Sequence, residues 1–77
     1  MKVKFNFHER DNVHAKRKKE WALNISIDDD GWWTITTWGN KPSKQELELT
    51  KDVIIRSMEI YHRYIKIPNF EIERFDL

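Results

Sequence analysis

The sequence predicts an α+β fold in which a three-stranded antiparallel sheet is covered by one long helix. Residues 2–7 alternate strictly between apolar and polar side chains, which is typical of a half-buried strand. Two further alternating runs, Trp21–Ile27 and Trp32–Trp38, flank an Asp-Gly pair and predict a β-hairpin. After Ser43, apolar residues recur at three- and four-residue steps, as in an amphipathic helix. We expect strands at about 2–8, 20–28 and 32–38, and a helix at about 44–66.

Length and composition indicate one small domain. A chain of 77 residues is near the size at which a single hydrophobic core is only just sufficient. It contains no cysteine, which excludes disulfides and thiolate zinc sites. No apolar run approaches the roughly 18–20 residues of a membrane span, and the alternating N-terminus is unlike a signal peptide. A cytoplasmic protein without membrane association is therefore expected.

The first strand and the segment after it differ in character. In the strand, Val3, Phe5 and Phe7 share one face, and Lys2 and Lys4 share the other. Residues 8–20 are polar and basic. They form either a long loop, of the kind that tends to be functional or disordered, or an extension of the flanking strands into a longer hairpin arm.

Two registers are open for the central hairpin. A two-residue turn at Asp30-Gly31 sets Ile27 opposite Thr34 and places Trp32 and Trp38 in the core. The alternative is a three-residue loop, Asp29-Asp30-Gly31, with a left-handed glycine. Because a one-residue slip exchanges the faces of a strand, the two registers expose different tryptophans.

The register with the three-residue loop is preferred. It sets Ile25 opposite Ile35 and so buries both side chains on one face. The same register places Trp32 and Trp38 on the outer face of the sheet. The indoles on that face then become candidates for ligand binding.

The helix has clear start and stop signals. Ser43 and Glu46 form a capping box at its start, and Pro68 disfavours helical backbone at Ile67. One apolar stripe is expected to cover the sheet: Leu47, Ile54, Met58, Tyr61 and Ile65.

A second apolar stripe lies on nearly the opposite side of the helix, where a helix packed on one sheet has no need of it. Its members are Leu49, Val53, Ile60 and Tyr64. The tail, residues 67–77, alternates again and either adds a fourth short strand or folds Phe70, Ile72 and Phe75 over this stripe.

The favoured functional hypothesis is a non-catalytic protein-binding module, such as a small regulator or inhibitor. Contiguous exposed apolar patches usually mark interaction sites. The partner is another protein or a second copy of the chain, in a homodimer. The residues expected to bind are Leu49, Val53, Ile60, Tyr64, Phe70 and Phe75.

The alternative hypothesis is nucleic-acid binding. Residues 1–20 carry seven Lys and Arg against three acids, so the N-terminal part is locally basic. Aromatic rings flanked by cations bind single strands by base stacking. The residues of this surface are Lys2, Lys4, Lys16, Arg17, Lys18, Lys19, Trp32 and Trp38.

Other chemistry is not expected. The acidic run Asp28–Asp30 lacks the spaced ligands of a calcium loop and fits a turn. The three histidines have no metal-ligand spacing, and neither a nucleophile motif nor a glycine-rich phosphate loop occurs. We therefore expect no enzyme, no cofactor, no metal site and no small-molecule substrate.

Overall fold

The predicted α+β fold is confirmed, with a fourth strand supplied by the tail. The computed structural model describes residues 1–14, 18–65 and 70–77. The sheet has the strand order β3-β2-β1-β4, and β4 runs parallel to β1 whereas the other pairs are antiparallel. The elements are β1 (Lys2–Asp11), β2 (Lys19–Ile27), β3 (Trp33–Trp38), α1 (Lys44–Tyr64) and β4 (Glu73–Asp76).

The basic segment after the first strand extends the hairpin rather than forming a long loop. Asp11 pairs with Lys19 at the end of the β1–β2 ladder, and Asn12 N–H donates to the carbonyl of Lys18 at 3.0 Å. This agrees with the hairpin-arm alternative. Residues 15–17, and with them Lys16 and Arg17, lie outside the described residues.

The turn between β2 and β3 has Asp28 and Asp29 at its centre, so it precedes both the Asp30-Gly31 turn and the preferred loop at Asp29-Asp30-Gly31. Asp28 and Asp29 adopt left-handed backbone with φ of 51° and 57°, and Asp30 N–H donates to the carbonyl of Ile27 at 3.1 Å. This is a type I′ turn, the kind that matches the twist of a hairpin. Asp tolerates the left-handed region better than most residues, so it fills both central positions.

Both registers considered for the central hairpin are wrong. Ile25 lies opposite Trp33, and Trp21 lies opposite Trp38, with Ile35 as an extra residue between the two parts of the ladder. Such a β-bulge shifts the alternation of faces by one residue. Trp33 and Trp38 therefore both lie on the face that α1 covers, whereas the preferred register placed Trp38 on the outer face.

The core lies between α1 and the two central strands. Its buried side chains are those of Val3, Phe5, Leu23 and Ile25. From the helix, Leu47, Ile54, Ile55 and Met58 pack against them.

The C-terminal turns of α1 extend beyond the core. A helix of 21 residues is about 31 Å long at roughly 1.5 Å per residue. Tyr61 and Ile65, which were expected to cover the sheet, are 63% and 45% exposed.

The predicted N-cap is confirmed, because the side chain of Ser43 accepts a hydrogen bond from Glu46 N–H at 3.1 Å. The helix ends at Tyr64 with Ile65 as its C-cap, close to the expected end at about residue 66. In the part that is described, α1 is not apolar enough to cross a membrane.

Charged side chains fasten β4 to the helix. Arg74 donates from Nη1 to Asp52 at 2.6 Å and from Nη2 to Glu48 at 2.9 Å. Lys51 is buried, with Nζ 3.5 Å from Asp76. Partial burial opposes the charge of Arg74, but hydrogen bonds to Asp52 and Asp76 outweigh it and raise the pKa of the guanidinium. These contacts place the last strand against β1 and beside the helix.

Candidate functional site

The second apolar stripe of α1, here called the helix stripe, is exposed over its whole length. Leu49, Val53, Ile60 and Tyr64 are 62%, 56%, 53% and 86% exposed. Arg56 lies between Val53 and Ile60 on the same face by helical spacing, and Nη1 of Arg56 is 3.4 Å from Glu59. The stripe is thus divided into an N-terminal and a C-terminal half by a charged side chain.

An open apolar groove lies between β3 and α1, here called the edge groove. Its volume is about 370 Å³. At one end the indole N–H of Trp38 donates to Glu46 at 3.3 Å. Leu49 and Val53 belong both to the groove and to the helix stripe, so the N-terminal half of the stripe and the sheet edge form one surface. The groove is lined by Ile35, Thr36, Trp38, Leu49, Thr50, Val53 and Ile54.

The floor of the edge groove is an edge strand. Among the described strands, β3 pairs with β2 alone, so its other side presents unpaired backbone. The strand has the sequence WTITTW, without charge or proline. Trp33 and Ile35 on it are 66% and 38% exposed. Natural edge strands usually carry charges or proline against unwanted pairing, and this one is open to a further strand.

The tail residues predicted to bind with the helix stripe lie elsewhere. Phe75 pairs with Lys4, whose side chain is on the sheet face opposite α1. Phe70 stacks on His62 with ring centroids 3.7 Å apart. The structure therefore joins Leu49 and Val53 to the strand edge, and separates Phe75 from them by the thickness of the sheet.

The face of the sheet opposite α1, here called the open face, is a hydrogen-bonded polar surface. Asn24, only 7% exposed, donates to Asn6 at 3.0 Å and accepts from Thr34 at 2.7 Å. Thr34 in turn accepts from Arg10 at 3.0 Å. The three antiparallel strands are linked by these bonds, which account for the burial of a polar side chain here.

The Lys and Arg side chains on and beside the open face form ion pairs with neighbouring carboxylates. Lys4 pairs with Asp29, and the hydrogen bond and charge of Lys4 hold the pKa of that carboxyl below its usual range. The hydrogen bond from Lys19 to Asp11 raises the pKa of Lys19 above its ordinary value. Arg10 lies 3.5 Å from Glu20. Phosphate contact would have to compete with these carboxylates.

The structure does not place Trp32 and Trp38 side by side on the open face, as base stacking in the nucleic-acid hypothesis would require. Trp38 lies on the helix-covered face, edge-on to Phe7 with ring centroids 6.0 Å apart. Trp32, 47% exposed, precedes β3. Lys2 and Lys18 are exposed on the strand and at the hairpin arm.

Two further features of the described residues are their possible metal ligands and a second cavity. In residues 1–14, 18–65 and 70–77, no group of three or more His, Cys, Asp or Glu is placed to hold a metal ion. A second cavity, of about 480 Å³, lies at the C-terminal end of α1 and is lined by both charged and apolar side chains. Its lining consists of Glu59, Arg63, Phe70, Glu71 and Ile72.

Sequence reasoning missed the contribution of β3 to the candidate site. Ile35 and Thr36 line the edge groove because the bulge turns both toward the helix side. A bulge depends on pairing and is not visible in the alternation of one strand. The signal that was present is the absence of charge from WTITTW, which marks an unprotected edge.

Comparison of the chain with models of protein families, with curated proteins and with solved structures finds no significant match.

Proposed function

We propose that this protein is a non-catalytic protein-binding module whose binding surface is the edge groove together with the N-terminal half of the helix stripe. The observation that carries the proposal is the continuity of this surface from Ile35 and Trp38 on the strand to Leu49 and Val53 on the helix. Exposed contiguous apolar surface of this kind is characteristic of interaction sites. The proposal keeps the cytoplasmic location expected from the cysteine-free sequence.

The chemistry of the surface favours an extended apolar segment as the ligand. The unpaired backbone of β3 provides hydrogen-bonding groups for an added strand, and the groove beside it accepts alternate side chains. Main-chain bonds then provide affinity, and the fit of apolar side chains against Ile35, Leu49 and Val53 provides selectivity.

Nucleic-acid binding has weaker support. Lys4, Arg10 and Lys19 have carboxylate neighbours, and the indole of Trp38 packs against Phe7 and the core. A stacking platform requires exposed ring faces beside free cations. Protein binding needs no rearrangement of these contacts.

The test is selection of displayed extended peptides against the immobilised protein, followed by affinity measurement with Val53→Asp. Burying a valine contributes about 1.5–3 kcal/mol, so its replacement by a charge should weaken the selected peptides at least about tenfold. Phe75→Asp is the matched control, because it makes the same kind of change at an exposed apolar residue on the opposite face.

Apolar peptides that lose affinity for Val53→Asp and keep it for Phe75→Asp would support the proposal. Peptides that bind both variants equally, or a selection that enriches nothing above an unrelated protein, would contradict it. Circular dichroism of each variant separates loss of binding from loss of fold.

A further inference from the structure

We propose that β3 pairs antiparallel with β3 of a second copy of this chain, across a twofold axis that passes between Ile35 and Thr36. This inference rests on the proposed function and names the occupant of the same surface. Two sheets then join into one continuous sheet, with both helices on the same face. The inference is argued from the residue pattern of β3, from the faces of its side chains and from charge.

The sequence of β3 is nearly the same in both directions. Reading WTITTW backwards gives WTTITW. Antiparallel self-pairing therefore sets Trp33 opposite Trp38 of the copy, Thr34 opposite Thr37, and Ile35 opposite Thr36. Aromatic pairs, Thr–Thr pairs and pairs with β-branched residues are among the cross-strand neighbours that stabilise sheets.

Because of the bulge, the side chains of each proposed pair point to the same face of the sheet. Residues paired across two strands must point to the same face of the sheet. In a regular strand, Trp33 and Trp38 would point to opposite faces, because they are five positions apart. The extra residue at Ile35 shifts the alternation, so both tryptophans lie on the helix-covered face, and Thr34 and Thr37 both lie on the open face.

Charge distinguishes β3 from the other edge of the sheet. No residue from Trp33 to Trp38 is charged, so twofold pairing brings no like charges together. At the other edge, three of the four residues of β4, which has the sequence ERFD, are charged, and charged side chains are a usual protection of an edge strand. The chain thus has one protected edge and one edge suited to a second copy.

The surface area that the proposed interface can bury predicts a dimer of modest affinity. An aromatic side chain buries about 150–250 Å². Since Trp33 is 66% exposed, two copies of it would contribute roughly 200–330 Å². A standard interface buries about 1,600 Å², so most of the area must come from the strand edges and the edge groove. Interfaces at the small end of the range are weak, and association must be measured at high concentration.

The first experiment is sedimentation velocity of the full chain over a concentration range on the order of 1–500 μM, suited to a small interface. We expect the mass to rise from the monomer value of 9.5 kDa to twice that value. Ile35→Lys, which places two cations beside the axis, should weaken the association at least about tenfold. Ile60→Lys is the matched control on the C-terminal half of the helix stripe and should dimerise like the wild type.

The second experiment tests the register with single cysteines in a chain that has none. Paired residues of antiparallel strands have Cα atoms about 4.5–5.5 Å apart, within the range for disulfides. Under oxidation, a mixture of Thr34→Cys and Thr37→Cys should form a covalent heterodimer. Each variant alone should not, because its two cysteines would be three positions apart along the strands, roughly 10 Å.

A wild type that stays monomeric at all concentrations would overturn the inference. Dimers that Ile35→Lys leaves intact, in folded protein by circular dichroism, would overturn it as well, as would cross-linking of the single variants as fast as the mixture. If peptides still bind in a Val53-dependent manner while the chain stays monomeric, the inference fails and the proposed function stands. A dimer with the predicted cross-link, without any peptide binding, would support the inference and contradict the recognition of other extended peptides.

Discussion

Trp21 and Trp38 lie directly opposite each other on β2 and β3, on the face of the sheet that α1 covers. Phe7 contacts both, stacked on Trp21 with centroids 5.2 Å apart and edge-on to Trp38 at 6.0 Å. The three rings extend the core across three strands toward the start of the helix. Aromatic contacts of this geometry are worth about 0.5–1.5 kcal/mol beyond the area they bury.

Trp38→Ala should destabilise the fold much more than Trp33→Ala. Replacing a buried Trp by Ala costs about 3–5 kcal/mol, and we expect about 2–4 kcal/mol for the half-buried Trp38. Because Trp33 is 66% exposed, Trp33→Ala should lower the free energy of unfolding by less than about 1 kcal/mol. Urea unfolding at low protein concentration, where the monomer dominates, measures both. Equal losses for the two variants would contradict the observed register.

Gly31→Ala should be destabilising, and Gly39→Ala should be nearly neutral. Gly31 has φ of +97°, a conformation that costs an L-residue about 1–2 kcal/mol even though the space around it is open. Gly39 has equally open surroundings and no positive φ. The comparison isolates backbone strain from crowding, and thermal melting of both variants measures it. If Gly31→Ala matched Gly39→Ala, the turn would differ from the one described.

Lys4→Met should reduce stability at neutral pH and lose its effect in acid. Lys4 lowers the pKa of Asp29 from its ordinary value of 3.8, so the pair contributes stability above that pH. The contribution disappears as the pH falls through the lowered pKa of the folded state. Melting temperatures of wild type and variant should therefore differ at pH 7 and converge at the acid end.

The control for this prediction is Lys44→Met, which changes an exposed lysine at the start of α1. An NMR titration of the Asp29 carboxyl should show its pKa rising toward 3.8 in Lys4→Met and staying low in Lys44→Met. A pKa of Asp29 that is the same in all three proteins would show that the pair does not act in solution.

Asn24→Ala should cost about 1–3 kcal/mol, because it removes a nearly buried side chain together with its hydrogen bonds to Asn6 and Thr34. Thr37→Ala, an exposed change on the same open face, should stay within about 0.5 kcal/mol. Chemical denaturation provides both values. A neutral Asn24→Ala would mean that water replaces the bonds at no cost.

Local features of the chain were predictable from the sequence. The alternation of residues 2–7, the N-cap at Ser43 and the apolar spacing of the helix each depend on neighbours within a few positions. The exposure of Leu49 and Val53 also followed from the spacing, since one helix presents only one face to a sheet.

The hairpin register was not predictable in the same way. Asp28–Asp30 and Gly31 all tolerate left-handed backbone, so the sequence permits several turns. The one adopted is held by contacts with β1: Asp28 N–H donates to the carbonyl of Lys2 at 2.9 Å, and the side chain of Asp28 accepts from Lys2 N–H at 2.7 Å. Those partners are 26 residues apart in the chain.

The sequence by itself determined three features: the order of the first three strands and the helix, the N-cap of the helix, and the presence of a second apolar stripe. These features depend on local periodicity and propensity. Tertiary structure decided which face each tryptophan occupies and which residues line the edge groove. A single bulge at Ile35 reverses the alternation that follows it, and its free energy depends on pairing with β2 and packing under α1. No pattern within one strand contains that information.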